Sequence, residues 1–186
     1  MPQNNLTIAI VGATGAVGEV ALGLLADRSY PAEQIIAMAS SRSAGKKLAY
    51  METELTVIEA TPDSFEGVDV AFISASADVS RALAPEAVKR GAMVIDDGSA
   101  FRMDPAVPLV VPEVNGADLE WHQGIVSIPN CTTTPLAMSL SALGQAAHVT
   151  RVTVATYQAV SGTGAAAVRE LTEQSGDILA GRPANP

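Results

Sequence analysis

The stretch Gly-Ala-Thr-Gly-Ala-Val-Gly at residues 12–18 decides the fold. It follows a short apolar run, Leu6–Val11, and precedes apolar residues at helical spacing over 16–26. That order predicts a strand, a tight turn and a helix. Glycines let a backbone approach a pyrophosphate, and the N–H groups of a helix start attract anions. The spacing is G-x-x-G-x-x-G rather than G-x-G-x-x-G, so a turn selected only for tight packing is the alternative to dinucleotide binding.

Further short apolar runs continue along the chain, with turn residues on their flanks, as expected for buried parallel strands. They lie at 35–39, 68–74, 93–96 and 124–128. Between two of them, residues 77–90 have helical periodicity and are followed by Gly91, a residue that commonly closes helices. This alternation predicts an α/β fold with a Rossmann-like, doubly wound parallel sheet.

Composition limits the classes of partner. The chain has 186 residues, 48% of them hydrophobic, which predicts one folded domain and part of a second. A formal charge of −9, with no run of Lys or Arg, argues against nucleic acid and favours a small-molecule ligand. The polar N-terminus and the lack of a long apolar run predict a cytoplasmic protein with no membrane partner. Cys131 is the single cysteine, so we expect no internal disulfide and no metal site.

A second part of the chain is predicted to begin after Asn130. Residues 133–148 form a second helical pattern, and the Thr-Thr-Thr-Pro stretch at its start suits a capped first turn. Residues 151–158 alternate apolar and polar side chains, which predicts a strand with only one face on a core. We therefore divide the chain into a Rossmann-like domain, 1–130, and the incomplete start of an α+β catalytic and dimerisation domain, 131–186. The tail, 181–186, is rich in turn residues.

The end of the second predicted strand bears on the choice of cofactor. Ser40, Ser41, Arg42 and Ser43 stand there, about where NAD-binding proteins place an acidic residue and NADP-binding ones an arginine. Hydroxyls and a guanidinium suit a 2′-phosphate. We predict NADP, with a solvated basic turn as the alternative.

Cys131 lies in Pro-Asn-Cys-Thr-Thr, directly before the second long helix. The positive end of a helix dipole favours the thiolate form of a cysteine, so this position suits a nucleophile. A buried cysteine that only packs is the alternative.

Arg102 closes the stretch 96–102, which follows a predicted parallel strand at its carboxyl end, where α/β sheets bind ligands. An arginine there can hold a phosphate or carboxylate through two hydrogen bonds. A solvated loop arginine is the alternative. His122 and His148 belong to no such group, and surface or cap roles are predicted for both.

Taken in order, these motifs resemble the aspartate-semialdehyde dehydrogenase family, from Ile8 to the last residues. The motifs that carry the resemblance are GATGAVG (12–18), SSRSAGK (40–46), SAFR (99–102), VVPEVN (110–115), PNCTT (129–133) and YQAVSGTG (157–164). The chain departs from the family at Asp97-Gly98, where Asn-Ser is usual, and at Thr163, where Ala is usual. These departures leave the conformation of the substrate-side loop open.

The resemblance implies a role for each matching residue. Cys131 would be the nucleophile, Arg102 would bind phosphate or the substrate phosphoryl group, and Gln158 would position the substrate, with Asn130 grouped beside them. The cofactor-contacting positions implied are Gly12, Thr14, Gly15, Ala16, Val17, Ser40, Arg42, Ser43, Ser161 and Gly162.

The resemblance also implies the chemistry. The family interconverts aspartate 4-semialdehyde and aspartyl 4-phosphate through a cysteine thioester, using NADP and inorganic phosphate, in the biosynthesis of lysine, threonine, methionine and diaminopimelate. It acts as a homodimer or homotetramer when full length. Its acid–base histidine comes from a stretch that follows these residues, so we expect this chain alone to lack enzymatic turnover. We also expect the strand at 151–158 to keep an unpaired edge and to promote self-association.

Two alternatives stay open. N-acetyl-glutamyl-phosphate reductase shares the reaction type but normally has Gly directly before its cysteine, where this chain has Asn130. A non-catalytic NADP-binding relative would retain the fold without the reactivity of Cys131.

Overall fold

The structure is a computed structural model, and it describes residues 6–184. The chain forms two compact units, Met1–Val152 and Thr153–Pro186. The domain boundary expected near Asn130 stays a prediction, because a compact unit and a family domain need not end at the same residue. Part of the polar N-terminus and the last two residues of the turn-rich tail lie outside the described residues.

In its described residues, the first unit contains eight strands. They are β1 (Leu6–Val11), β2 (Ala32–Ala39), β3 (Lys47–Tyr50), β4 (Thr53–Thr56), β5 (Ile58–Glu59), β6 (Val70–Ile73), β7 (Met93–Asp96) and β8 (Ile125–Ser127). Six of them form one sheet in the order β5-β2-β1-β6-β7-β8, and β3 pairs with β4 in a separate hairpin. Every pair in the larger sheet is parallel. The doubly wound parallel sheet predicted from the sequence is confirmed, with its topological switch point between β1 and β6.

Five α-helices are present in the described chain. They are α1 (Ala16–Asp27), α2 (Ala77–Lys89), α3 (Pro112–Asn115), α4 (Thr133–Ala146) and α5 (Ala165–Leu179). The predicted closure of α2 is confirmed, since Gly91 follows it at a φ of 94°. Within residues 6–184, no helix has the length and apolar character that a bilayer crossing requires.

Two apolar clusters cover the two faces of the sheet. Along β1, Ala9 and Val11 belong to the cluster that contains Leu83 of α2, whereas Ile8 and Ile10 belong to the one that contains Leu22 of α1. Because both faces are covered, consecutive residues of a strand are buried and the strand reads as a continuous apolar run. The core therefore fixes the carboxyl edge of the sheet, from which the candidate site residues extend.

The prediction of a strand over residues 151–158 is wrong. Residues 151–159 form no regular element in the structure. An alternating pattern reports which side chains face a core, but a strand also needs a hydrogen-bonded neighbour. No strand of the described chain pairs with this segment. In the second unit the regular elements are instead a 3₁₀ turn, Val160–Thr163, and α5.

Candidate dinucleotide and cysteine sites

The glycine turn is held by close backbone packing. Gly12 has a φ of 86°, and a Cβ built on it would lie 2.1 Å from the carbonyl oxygen of Ser74. A Cβ on Gly18 would lie 2.2 Å from the carbonyl oxygen of Gly12. The packing alternative thus accounts for these two glycines by itself. The turn is also tied to β2, since the N–H groups of Gly12 and Ala13 both donate to the carbonyl oxygen of Met38, at 2.9 and 3.0 Å.

Gly15 differs from the other two glycines of the turn. It is the N-cap residue of α1 and offers no side-chain acceptor to the first-turn N–H groups at Ala16 and Val17. A helix start without a side-chain cap suits an anion, because its N–H groups and the helix dipole both favour negative charge. The turn therefore fits a pyrophosphate as well as the packing requirement.

The structure brings the serine-rich turn beside the glycine turn. The Thr14 hydroxyl donates to the Ser43 hydroxyl at 3.4 Å across 29 residues of sequence. Ser40 and Arg42 belong to the same short turn after β2, and both are exposed. Hydroxyls and a guanidinium with no carboxylate in the turn form a donor set that fits a phosphorylated ribose.

Arg102 is not a freely solvated arginine, because two nitrogens of its guanidinium donate hydrogen bonds within the protein. Its Nε donates to the carbonyl oxygen of Ile128 at 2.9 Å, and its Nη2 donates to that of Asp97 at 2.8 Å. Asp97 follows β7, and Ile128 follows β8. The side chain therefore joins the carboxyl ends of two neighbouring strands, and its Nη1 is the nitrogen without a hydrogen bond among those described.

Asp97 is a site residue that the sequence indicated only as a departure from the family. The Ser74 hydroxyl donates to its Oδ2 at 2.9 Å. Burial raises the pKa of Asp97 above the ordinary aspartate value, while the Ser74 hydrogen bond and the charge of Arg102 act in the opposite direction. This carboxyl group therefore lies between the glycine turn, which packs on Ser74, and the arginine.

Asn130 orders the turn between Cys131 and the helix that follows it. Its Oδ1 accepts hydrogen bonds from the Thr132 N–H at 2.9 Å and the Thr132 hydroxyl at 2.7 Å. Its carbonyl oxygen accepts from the N–H groups of Thr133 and Thr134. The sequence interpretation placed the cap in the threonine stretch, but Thr132 makes no side-chain cap bond. Since its hydroxyl donates to Asn130, the asparagine is the acceptor that orders this turn.

Cys131 is exposed, with its Sγ 3.9 Å from Oδ1 of Asn130. The predicted position at the start of a long helix is confirmed, since α4 begins two residues later. Within the described chain the thiol is exposed rather than buried in the core. A thiol at such a position can reach a ligand above the carboxyl edge of the sheet.

Three further predicted site residues lie in the second unit. A Cβ on Gly162 would lie 2.5 Å from Nε2 of Gln158, so the glutamine side chain packs on the glycine backbone. Ser161 belongs to the same 3₁₀ turn as Gly162. All three residues are exposed. The unit thus keeps Gln158, Ser161 and Gly162 as one local group.

The histidines lie where cap and surface roles were predicted. Nδ1 of His122 accepts a hydrogen bond from the Gly124 N–H at 3.0 Å, in the turn before β8. His148 is exposed and follows the C-terminal end of α4. Over residues 6–184, no three His, Cys, Asp or Glu side chains come together as metal ligands would.

The sheet order, with a glycine turn at the switch point, defines a dinucleotide-binding protein of the doubly wound class. Comparison with known families agrees. The model described as "Semialdehyde dehydrogenase, NAD binding domain" matches residues 7–122, and "Semialdehyde dehydrogenase, dimerisation domain" matches residues 140–186. The chain belongs to the semialdehyde dehydrogenase family, and the resemblance inferred from its motifs is confirmed.

Individual relatives share the family. The aspartate-semialdehyde dehydrogenase of Bacillus subtilis (strain 168) is 54% identical over 174 residues, which are 94% of this chain and 50% of that protein. A crystal structure of aspartate semialdehyde dehydrogenase II from Vibrio cholerae, complexed with ASA, superposes with a TM-score of 0.91 at 37% identity, over 98% of this chain and 55% of that one. A crystal structure of aspartate semialdehyde dehydrogenase from Candida albicans, with NADP, superposes with a TM-score of 0.64 at 30% identity, over 75% of this chain and 47% of that one. The chain thus spans about half the length of the relatives it matches.

Proposed function

We propose that this chain carries the NADP-binding part and the nucleophile of an aspartate-semialdehyde dehydrogenase, which interconverts L-aspartate 4-semialdehyde and L-aspartyl 4-phosphate. The observation that carries the proposal is the arrangement at one sheet edge. Cys131 is exposed at the start of α4, and Arg102 is bound to Ile128, three residues before it. A nucleophile beside a cation suits a reaction in which a phosphate meets a thioester.

The chemistry assigns one task to each residue. The Cys131 thiolate attacks the aldehyde carbon and forms a thiohemiacetal. NADP, when bound, supplies the acceptor for the hydride that leaves this carbon, and a thioester on Cys131 results. Arg102 holds inorganic phosphate, whose oxygen attacks the thioester carbon while the sulfur leaves as thiolate. We assign Gln158 to orient the substrate and Asn130 to hold the cysteine turn.

A base other than the two histidines of this chain takes the thiohemiacetal proton in this proposal. His122 already uses Nδ1 in its turn. His148 lies beyond the 14-residue helix α4, about 20 Å from Cys131 at 1.5 Å per residue. We place the base in the part of the relatives that this chain does not match. The match to a dimerisation domain supports assembly of the full-length protein as a homodimer or homotetramer.

The proposed preference for NADP rests on the turn after β2. Calorimetry should show tighter binding of NADP than of NAD, and Arg42→Glu should remove the difference, because the carboxylate repels the 2′-phosphate. Arg28→Glu makes the same change of charge at the exposed end of α1 and should leave the preference intact. Equal affinity of the unaltered protein for both cofactors would overturn this assignment.

The proposed nucleophile is tested by mass spectrometry. Incubation with aspartate 4-semialdehyde and NADP, without phosphate, should add an aspartyl thioester to the protein slowly, over hours, because neither histidine of this chain serves as the base, and added phosphate should release it. Cys131→Ala should give no adduct and should bind NADP within about twofold of the unaltered protein. Because the chain has one cysteine, any thioester is assigned without ambiguity. A thioester adduct on the alanine variant, or none on the unaltered protein after hours, would contradict the proposal.

A further inference from the structure

Polar side chains that are fully buried cluster beneath the arginine. Within the described residues they are Ser80 of α2, Asp96 at the end of β7 and Ser127 at the end of β8. The Ser80 hydroxyl donates to Oδ1 of Asp96 at 2.6 Å. Asp96 and Ser127 are register partners in the parallel pair β7–β8, so their side chains lie on the same face of the sheet. We call these three residues the buried polar cluster.

The cluster has two polar atoms without a hydrogen bond in the described part of the chain, Oδ2 of Asp96 and Oγ of Ser127. Neighbouring strands lie about 4.8 Å apart, so a rotation of the Ser127 hydroxyl, or one bridging water, can join these atoms. Buried polar groups in proteins are satisfied in such ways nearly without exception. Either link ties the end of β7 to the end of β8.

The loop after β7 packs directly on the cluster. A Cβ on Gly98 would lie 2.9 Å from the Ser80 hydroxyl oxygen and 3.1 Å from Oδ1 of Asp96. This close approach favours a residue without a side chain at position 98. The buried polar cluster is therefore enclosed by α2 and by the backbone that leads to Arg102.

Arg102 binds the next residue of each strand. Its two acceptors are the carbonyl oxygens of Asp97 and Ile128, which directly follow Asp96 and Ser127. The Ile128 N–H donates to the Asp96 carbonyl oxygen at 3.0 Å, which is the last backbone hydrogen bond between β7 and β8. The separation of the two strand ends therefore sets whether one guanidinium can span both carbonyls.

We propose that Asp96 is a positioning residue for Arg102: the buried polar cluster fixes the separation of the β7 and β8 ends at which the guanidinium spans both carbonyls. The inference rests on the proposed function, in which Arg102 holds phosphate beside Cys131. In this proposal, the buried polar cluster supports the anion site together with the loop that carries Arg102.

The first measurement reports the arginine without any ligand. In an NMR spectrum of the labelled protein, the Nε–H of Arg102, assigned by its absence in Arg102→Ala, should exchange slowly with solvent because it is bound to Ile128. Asp96→Ala should speed this exchange about tenfold or more, and Ser127→Ala should act in the same direction to a smaller extent. Asp96→Asn should restore slow exchange, because its Oδ1 still accepts from Ser80 and its amide can donate to Ser127.

The second measurement uses inorganic phosphate as the probe. The concentration of phosphate that halves the rate of Cys131 alkylation by iodoacetamide should rise about tenfold in Asp96→Ala and stay within about twofold in Asp96→Asn. Val94→Ala is the matched control. Val94 is fully buried two residues before Asp96, so its loss makes a cavity on the same face of β7 without touching the buried polar cluster. Its Arg102 exchange and phosphate protection should match the unaltered protein.

The outcomes separate the two proposals. Unchanged Arg102 exchange in Asp96→Ala and Ser127→Ala, or equal acceleration in Val94→Ala, overturns the positioning role. If Asp96→Ala fails to fold, Ser127→Ala and Asp96→Asn decide the question. Absence of phosphate protection in the unaltered protein, with Arg102 exchange responding as expected, overturns the proposed phosphate site and leaves the positioning role supported.

Discussion

Two helix starts at the same edge of the sheet are built in opposite ways. At α1, the turn depends on backbone packed against backbone, with Gly12 against Ser74 and a cap residue, Gly15, that has no side chain to contribute. At α4, the turn depends on one side chain, Asn130, whose Oδ1 accepts two hydrogen bonds. At α1 the turn is therefore ordered by glycines and leaves the first N–H groups of the helix without a side-chain acceptor, whereas at α4 the turn is ordered by hydrogen bonds to the Asn130 side chain.

Adding a methyl group at Gly12 should break the first turn. Gly12→Ala places a Cβ 2.1 Å from the Ser74 carbonyl oxygen, at a φ of 86°. Strained backbone and overpacking should together lower the free energy of unfolding by about 3 kcal/mol or more, measured by urea denaturation. Gly23→Ala is the control within α1, since no atom lies within 4 Å of its Cβ, and it should raise stability by about 0.5–1 kcal/mol. A Gly12→Ala protein as stable as the unaltered one would remove the contrast between the turns.

Removing the side-chain acceptor should break the second turn, with a smaller effect. Asn130→Ala takes away the oxygen that accepts from Thr132, and loss of these side-chain hydrogen bonds should cost about 1 kcal/mol in the free energy of unfolding. Asn130→Asp keeps an oxygen in place and should retain most of this stability. If the alanine and aspartate variants were equally destabilised in the same urea titration, the hydrogen bonds to Oδ1 of Asn130 would not be what orders this turn.

The smallest effect concerns Asp97, which accepts hydrogen bonds from Ser74, beside the first turn, and from Arg102. Because burial raises its pKa, the folded protein binds this proton more tightly than the unfolded chain does. The resulting stability is fully present below the ordinary aspartate pKa of about 3.9 and is lost as the pH rises through the raised value. Asp97→Asn removes the titration, so the stability of the variant relative to the unaltered protein should increase from pH 3 to pH 7.

Thermal unfolding of both proteins across this pH range provides the measurement. Thr53→Ala, which changes an exposed side chain without a titratable group in the β3–β4 hairpin, should show no such trend. A stability difference between Asp97→Asn and the unaltered protein that stays flat with pH would mean that the carboxyl group is not penalised by its burial.

The sequence predicted the elements whose pattern the core imposes. The strand at 93–96 was placed with the bounds that the structure has, because both of its faces are covered and every residue is apolar until Asp96. The prediction of a strand at 151–158 was wrong, because alternating apolar and polar residues carry no information about whether a partner strand is present. α5 was not predicted, although Val168, Leu171 and Ile178 recur along it at helical spacing, and none of its residues is buried in the structure.

The positions of the candidate site residues could be predicted from the sequence, but the contacts between their side chains could not. Thr14 and Ser43 could be placed at one edge of the sheet because parallel strands end there, and their hydroxyls are indeed within hydrogen-bonding distance. The acceptors of Arg102 and the hydrogen bonds from Thr132 to Asn130 could not be predicted, since they depend on side-chain rotamers and on loop backbones. The roles of these residues toward a ligand stay predictions.

The two carbonyl oxygens that hold Arg102 have a consequence for how an anion would bind. A long, flexible side chain normally loses rotamer freedom when it closes on a ligand, at about 0.5–1.5 kcal/mol. Here the guanidinium is already immobilised by Asp97 and Ile128 before any anion arrives. The rotamer entropy of Arg102 is therefore lost when the chain folds. An incoming phosphate meets a guanidinium that is already oriented, so its binding does not have to order this side chain.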